Sequence, residues 1–149
     1  MDEIITRFKE RFETLSPFQR FLGMKLEVTE RFTPVITFKM RNELIGNFDY
    51  GILHGGVIAS VMDVTAGISA LLCLPVKYPG ESADQIMKRV SKVGTIDLRI
   101  DYIQPGRGKS FTATGETLRA GNKIAVSTAK LHNDEGLLIA AGTGTYLIG

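Results

Sequence analysis

Hydrophobic positions change their spacing several times along the chain, and each change marks an element. Between residues 3 and 15, Ile5, Phe8, Phe12 and Leu15 recur at helical spacing, with Arg7, Lys9, Glu10 and Arg11 between them. That pattern predicts an amphipathic helix, closed with its follow-on turn by Pro17 and Gly23. Residues 25–31 and 34–40 alternate well enough to predict two strands, and 45–53 predict a loop. From Gly55 to Cys73 the chain is almost continuously apolar, which predicts one long helix ended by Pro75. Ser82-Ala83-Asp84-Gln85 matches a capping box, so a short helix over about 83–90 follows, with Ile86, Met87 and Val90 on its apolar face. From Val93 the period is two. Ile96, Leu98, Ile100 and Tyr102 form one face, and Thr95, Asp97, Arg99 and Asp101 the other. Pro105-Gly106 makes a turn, Ala120-Gly121-Asn122 a tight hairpin, and residues 132–136 another turn before the last strand, 137–148.

The predicted order is helix, two strands, long central helix, then an antiparallel meander of about four strands. This is an α+β chain. A strongly curved antiparallel sheet wrapped around one apolar helix, with an N-terminal amphipathic helix, is the hotdog fold. Neither a linker nor an internal repeat interrupts residues 1–149, which predicts a single domain.

A net charge of +2, with Lys and Arg scattered among Asp and Glu, argues against nucleic acid as a partner. One cysteine excludes an internal disulfide, and Cys73, inside the apolar run, reads as an inert thiol. The start Met1-Asp2-Glu3 is acidic and unlike a signal peptide, so a cytoplasmic location is expected. The run from Gly55 to Cys73 approaches the roughly 20 residues that span a bilayer. Asp63 would then sit mid-membrane, so no membrane insertion is expected.

Asp63 is the candidate for chemistry. A carboxylate on a helix without a polar face lacks water to solvate it, and such a group is rarely buried without a purpose. Its structural alternative is a carboxylate satisfied by Ser60 or Thr65. Nine residues earlier stands His54-Gly55-Gly56, where two glycines leave helix-start N–H groups open to polarise an oxygen. Nine helical residues span about 13 Å, so both groups of one chain cannot touch one carbon. A homodimer, or a tetramer built from dimers, solves this by combining the helix start of one chain with Asp63 of another.

The run Leu53-His54-Gly55-Gly56 with Asp63, followed by Gly94-Thr-Ile-Asp-Leu-Arg-Ile-Asp-Tyr-Ile-Gln-Pro-Gly-Arg-Gly and Leu118-Arg-Ala-Gly-Asn-Lys-Ile-Ala, resembles the PaaI-like hotdog thioesterases. That resemblance, from about Phe18 to Gly149, implies hydrolysis of acyl-CoA, with medium to long acyl chains favoured. It implies Asp63 as general base or nucleophile, Gly56 and Gly55 as oxyanion donors, and His54 as the residue that positions them. Thr95 matches a strand hydroxyl that orients the attacking water. Asn47 is the family-type amide, but it lies seven residues before His54. The commoner spacing of six falls on Phe48, and Asp49 competes for the role. Arg107, Lys109, Arg119 and Lys123 are candidate partners for the phosphates of coenzyme A.

No cofactor is implied beyond the coenzyme A of the substrate. Two histidines and one cysteine give no metal-ligand spacing, and His132 reads as a solvated turn residue. Two rival functions stand beside hydrolysis: a non-catalytic acyl-CoA-binding module, and a hotdog hydratase or dehydratase. The helices at 3–15 and 83–90 exceed a minimal hotdog, and Phe8, Phe12, Ile86 and Met87 on them are candidate walls of an acyl tunnel.

Overall fold

The computed structural model describes residues 2–148. Three N-terminal helical segments come first: α1 (Asp2–Glu10), a π-helical turn (Arg11–Leu15) and α2 (Pro17–Leu22). Strands β1 (Lys25–Val28) and β2 (Pro34–Lys39) follow, then a 3-10 turn (Asn42–Leu44) and a small hairpin of β3 (Ile45–Asn47) and β4 (Ile52–Leu53). The long helix α3 (Gly55–Lys77), the short α4 (Ala83–Val90) and strands β5 (Gly94–Tyr102), β6 (Ser110–Ala120), β7 (Ile124–Asn133) and β8 (Leu138–Leu147) complete the chain. Six strands form one antiparallel sheet in the order β1-β2-β6-β7-β8-β5, and α3 packs across it. The fold is α+β and of the hotdog type.

The core is the contact between α3 and the inward side chains of the sheet. Val61, Met62, Ala66, Ala70 and Leu74 of α3 meet Ile36, Phe38, Phe111, Ala113 and Leu131. Phe38 and Phe111 face each other across β2 and β6, with ring centroids 5.1 Å apart. Helix and sheet approach closely at Gly115 of β6. A Cβ there would sit 2.3 Å from Ser69 Oγ and 2.9 Å from the Thr65 carbonyl oxygen. Only glycine fits.

Several expectations are corrected. Residues 45–53 form a hairpin, not a plain loop. The last four strands are not one meander: β6, β7 and β8 are consecutive neighbours, but β5 lies beyond β8 as the sheet edge. Pro75 does not end α3, which continues to Lys77 with Pro75 buried. Proline forfeits only one helical hydrogen bond so near the end. The following turn is held by the Tyr78 N–H donating to Leu74 and by Lys77 Nζ donating to the Gly121 carbonyl. The first helix also breaks its own stripe. A π-turn turns less per residue than an α-helix, so Phe8 and Phe12 are buried but Leu15 faces solvent. His132 lies in β7, half-buried, rather than in a turn.

The two extra helices behave as cover. The Ser82–Gln85 capping box forms as the sequence predicts. Phe8, Phe12 and Ile86 are buried in the core and Met87 packs against it, and none of them lines the cavities of about 270 and 830 Å³ beside α3. Arg7 ties α1 to α4 through Asp84.

Gly115→Ala is expected to destabilise the protein by about 1–3 kcal/mol, as overpacking of a tight site does. Gly80→Ala, whose added Cβ meets nothing within 4 Å, serves as the control and should stay within about 0.5 kcal/mol. Urea unfolding of both variants checks the difference.

Candidate active site

The start of α3 is built by its own residues. The His54 N–H donates to the Leu44 carbonyl at 2.8 Å, and the Leu53 N–H to Gly106 at 3.0 Å, which fixes where the helix begins. His54 then caps it: Nδ1 accepts the Gly56 N–H at 2.8 Å. An accepting Nδ1 leaves the proton of a neutral imidazole on Nε2. The Val57 and Ile58 N–H groups both reach the His54 carbonyl, at 2.9 and 3.2 Å. Of the first four helix N–H groups, only that of Gly55 has no partner among the described residues. Tyr102 on β5 donates its hydroxyl to the Gly55 carbonyl at 3.1 Å.

Seven residues on, Asp63 is half-buried and held from the sheet. Its Oδ1 accepts the Thr95 hydroxyl at 3.0 Å and the Tyr146 hydroxyl at 3.2 Å. The Tyr146 hydroxyl is also 3.0 Å from the Asp63 carbonyl oxygen. Burial pushes the Tyr146 phenol well above its ordinary pKa, and the neighbouring carboxylate adds to the shift. The phenol therefore remains a donor. Oδ2 accepts no hydrogen bond among the described residues.

Local structure explains both donors. Strict alternation would put Thr95 on the outer face of β5 with Asp97. A register shift between Thr95 and Asp97 makes Ile96 an extra residue, so Thr95 pairs with the inward-facing Tyr146 and turns toward Asp63. Tyr146 reaches Asp63 through a slot made by two glycines. A Cβ on Gly67 would come within 3.2 Å of its ring, and one on Gly144 within 2.6 Å. Neither Ser60 nor Thr65 serves Asp63, because their hydroxyls bond the carbonyls of Gly56 and Val61 on their own helix.

A cavity of about 270 Å³ adjoins the helix start, lined by His54, Gly56 and Ser60 on one side and by Phe18, Phe21 and Leu44 on the other. A larger one, about 830 Å³, lies beside the other half of α3, against Ser69, Cys73 and Lys77. The first adjoins the capped Gly56, and the second contains neither Gly56 nor Asp63.

The Thioesterase superfamily model matches residues 50–140. The chain is 48% identical over 140 residues to the medium/long-chain acyl-CoA thioesterase YigI of Escherichia coli, covering 94% of this chain and 90% of that one. The chain belongs to the thioesterase superfamily. A crystal structure from Shewanella oneidensis, related to the same superfamily, superposes with a TM-score of 0.94 at 40% identity, over 99% of this chain and 97% of that one. The Escherichia coli PaaI protein shares the fold, with a TM-score of 0.76 at 16% identity over 99% of this chain and 94% of that one.

Against that frame of helix and edge strand, the sequence-predicted residues separate into groups. His54, Gly55 and Gly56 are together at the start of α3, and Asp63 and Thr95 are together about 10 Å further along it. Asn47 sits in the β3–β4 hairpin, exposed, with its Oδ1 accepting the backbone N–H of Asp49 at 3.1 Å. The four basic residues are not brought together. Arg107 donates to the Tyr50 carbonyl at 2.9 Å near the helix start, and the Lys109 N–H bonds Asp134. Arg119 and Lys123 flank the β6–β7 turn, about 33 Å from Lys109 along β6. Tyr146 was not foreseen. Its signal was the run Gly142-Thr-Gly-Thr-Tyr146, in which one face of a strand is stripped to glycine before an aromatic.

Thr95→Val and Tyr146→Phe each remove one hydroxyl from Oδ1. Each should lower kcat for thioester hydrolysis about tenfold to hundredfold with little change in KM, as loss of a positioning contact does. Thr95→Ser should restore most of the rate. Steady-state kinetics on the three variants test this.

Proposed function

We propose that this protein hydrolyses acyl-CoA thioesters, favouring medium to long acyl chains, and that Asp63 does the chemistry. The observation that carries the reading is a carboxylate in a largely apolar helix, with one oxygen fixed by Thr95 and Tyr146 and the other open. As general base, Oδ2 takes a proton from water while the hydroxide attacks the thioester carbon. As nucleophile, it attacks the carbon itself and water resolves the anhydride. Either way the oxygen charge develops at the helix start, where the Gly56 and Gly55 N–H groups and the helix dipole stabilise it. On the first route the coenzyme A thiolate leaves as the tetrahedral intermediate collapses and takes the proton held by Asp63; on the second it leaves as the anhydride forms, and the water that opens the anhydride supplies its proton. His54 orients the first turn, and a carbonyl oxygen arriving at Gly56 shares or replaces its imidazole acceptor. No cofactor enters this scheme.

The two halves belong to different subunits in this reading, because about 10 Å of helix separates Gly56 from Asp63. Two features support a dimer. The stripe of α3 bearing Ser60, Asp63, Val64, Gly67 and Ile68 is only half-covered, whereas the opposite side is buried. Beside it runs β5, a nine-residue edge strand with Ile96 and Tyr102 more than half exposed. Such an edge invites pairing with a second copy. A medium- to long-chain preference is supported by the 48% identity to YigI.

Incubation with palmitoyl-CoA and a thiol-reactive dye should release free coenzyme A from the wild type. Asp63→Asn should show at most about a thousandth of that rate, with unfolding stability unchanged or raised because a partly buried charge is gone. Near wild-type turnover by Asp63→Asn would refute the assignment. Binding of palmitoyl-CoA without release would favour the non-catalytic module. Sedimentation at assay concentration should show a dimer or tetramer, and an active monomer would contradict the shared site.

A further inference from the structure

The short helix α2 places Phe18, Phe21 and Leu22 at i, i+3 and i+4, one helical stripe. Leu22 is buried, but Phe18 and Phe21 are 52% and 56% exposed. Both line the cavity of about 270 Å³ that has His54, Gly56 and Ser60 at its other side. Phe21 is held in place by Arg41. Arg41 donates to the Phe21 carbonyl and lies 5.5 Å from the centre of its ring, and it leads into the Asn42–Leu44 turn, which supplies Leu44 to the same cavity.

From this arrangement we infer that α2, and not α1 or α4, is the element that recognises the acyl chain, with Phe18 and Phe21 gripping its methylenes beyond the thioester held at Gly56. The inference rests on the thioesterase reading and names the substrate-selecting residues of that same site. Chemistry selects the acyl arm over the pantetheine arm. Six of the cavity's ten lining residues, Phe18, Phe21, Leu22, Leu44, Ile45 and Val57, have side chains without a donor or acceptor, and the polar side chains are those of Glu43, His54 and Ser60. Along the apolar six the two amides of pantetheine would lose water and gain no side-chain partner, whereas an alkyl chain loses nothing. The volume also sets a limit, since it falls just below the usual range for ligand sites, roughly 300–1,000 Å³. Medium chains fill it, and longer ones must project past the phenylalanines.

Two measurements test this. The first is the ratio of kcat/KM for decanoyl-CoA to that for butanoyl-CoA, in the wild type, Phe18→Ala, Phe21→Ala and, as a control outside the cavity, Met87→Ala. Each phenylalanine variant should lower the ratio about tenfold, the worth of roughly two buried methylenes. Met87→Ala should leave it unchanged. The second uses the absence of tryptophan from the chain. Phe18→Trp introduces a single tryptophan, excited selectively over the tyrosines at the red edge of absorption, and decanoate should shift its emission to the blue, saturably.

A wild type that hydrolyses both thioesters while the ratio is the same in all variants overturns the inference and leaves the thioesterase reading standing. Hydrolysis of neither thioester overturns that reading, and the tryptophan signal then decides the cavity alone. Emission that is already blue without ligand, and moves only on dilution, shows the aromatics covered by a second copy of the chain and overturns the inference.

Discussion

A helix that is apolar on all sides must be covered on all sides, and the rest of the chain is arranged around that requirement. The sheet covers one side of α3 with Phe38, Phe111, Leu131 and their neighbours. Small residues set how closely it can approach, with Gly115 at one close contact. The side carrying Ser60, Asp63, Val64 and Gly67 is left half-open. The one carboxylate of the helix lies on that open side. Its Oδ1 is satisfied by Thr95 and Tyr146 of the sheet, and its Oδ2 accepts no hydrogen bond among the described residues.

The parts of the fold governed by local periodicity could be read from the chain: the long helix, the capped short helix, the β6–β7 hairpin and the last strand. What could not be read depends on breaks in period. Ile96 is an apolar residue in an apolar–polar alternation, and nothing in its type marks it as the extra residue of a bulge. Yet that bulge brings Thr95 to Asp63. Leu15 fits the helical stripe of α1, but the π-turn rotates it into solvent. Pro75 reads as a terminator because proline lacks an N–H, but burial of its ring and a further turn outweigh one lost bond. The place of β5 beyond β8 is a matter of topology that a linear pattern does not carry.

Of the candidate site, the residues on α3 stand out in the sequence and their partners on the sheet mostly do not. His54, Gly55, Gly56 and Asp63 announce themselves by type and spacing. Tyr146 does not, because its role depends on two glycines, 67 and 144, from elements far apart in sequence. The basic residues are a different case. Arg107, Lys109, Arg119 and Lys123 have the right charge for phosphates, but opposite ends of β6 hold them apart within one chain. Charge type indicates a candidate, and topology decides whether candidates meet.

In the proposed assembly each active site joins the helix start of one chain to Asp63 of another. Mixing two inactive variants tests it directly: Asp63→Ala, and Gly56→Val, whose Cβ would lie 2.9 Å from His54 Nδ1. After unfolding and refolding together, half of the dimers are mixed, and in each of these one site has both halves intact. The shared site predicts about a quarter of wild-type coenzyme A release from the mixture. A mixture no more active than either parent alone would contradict it.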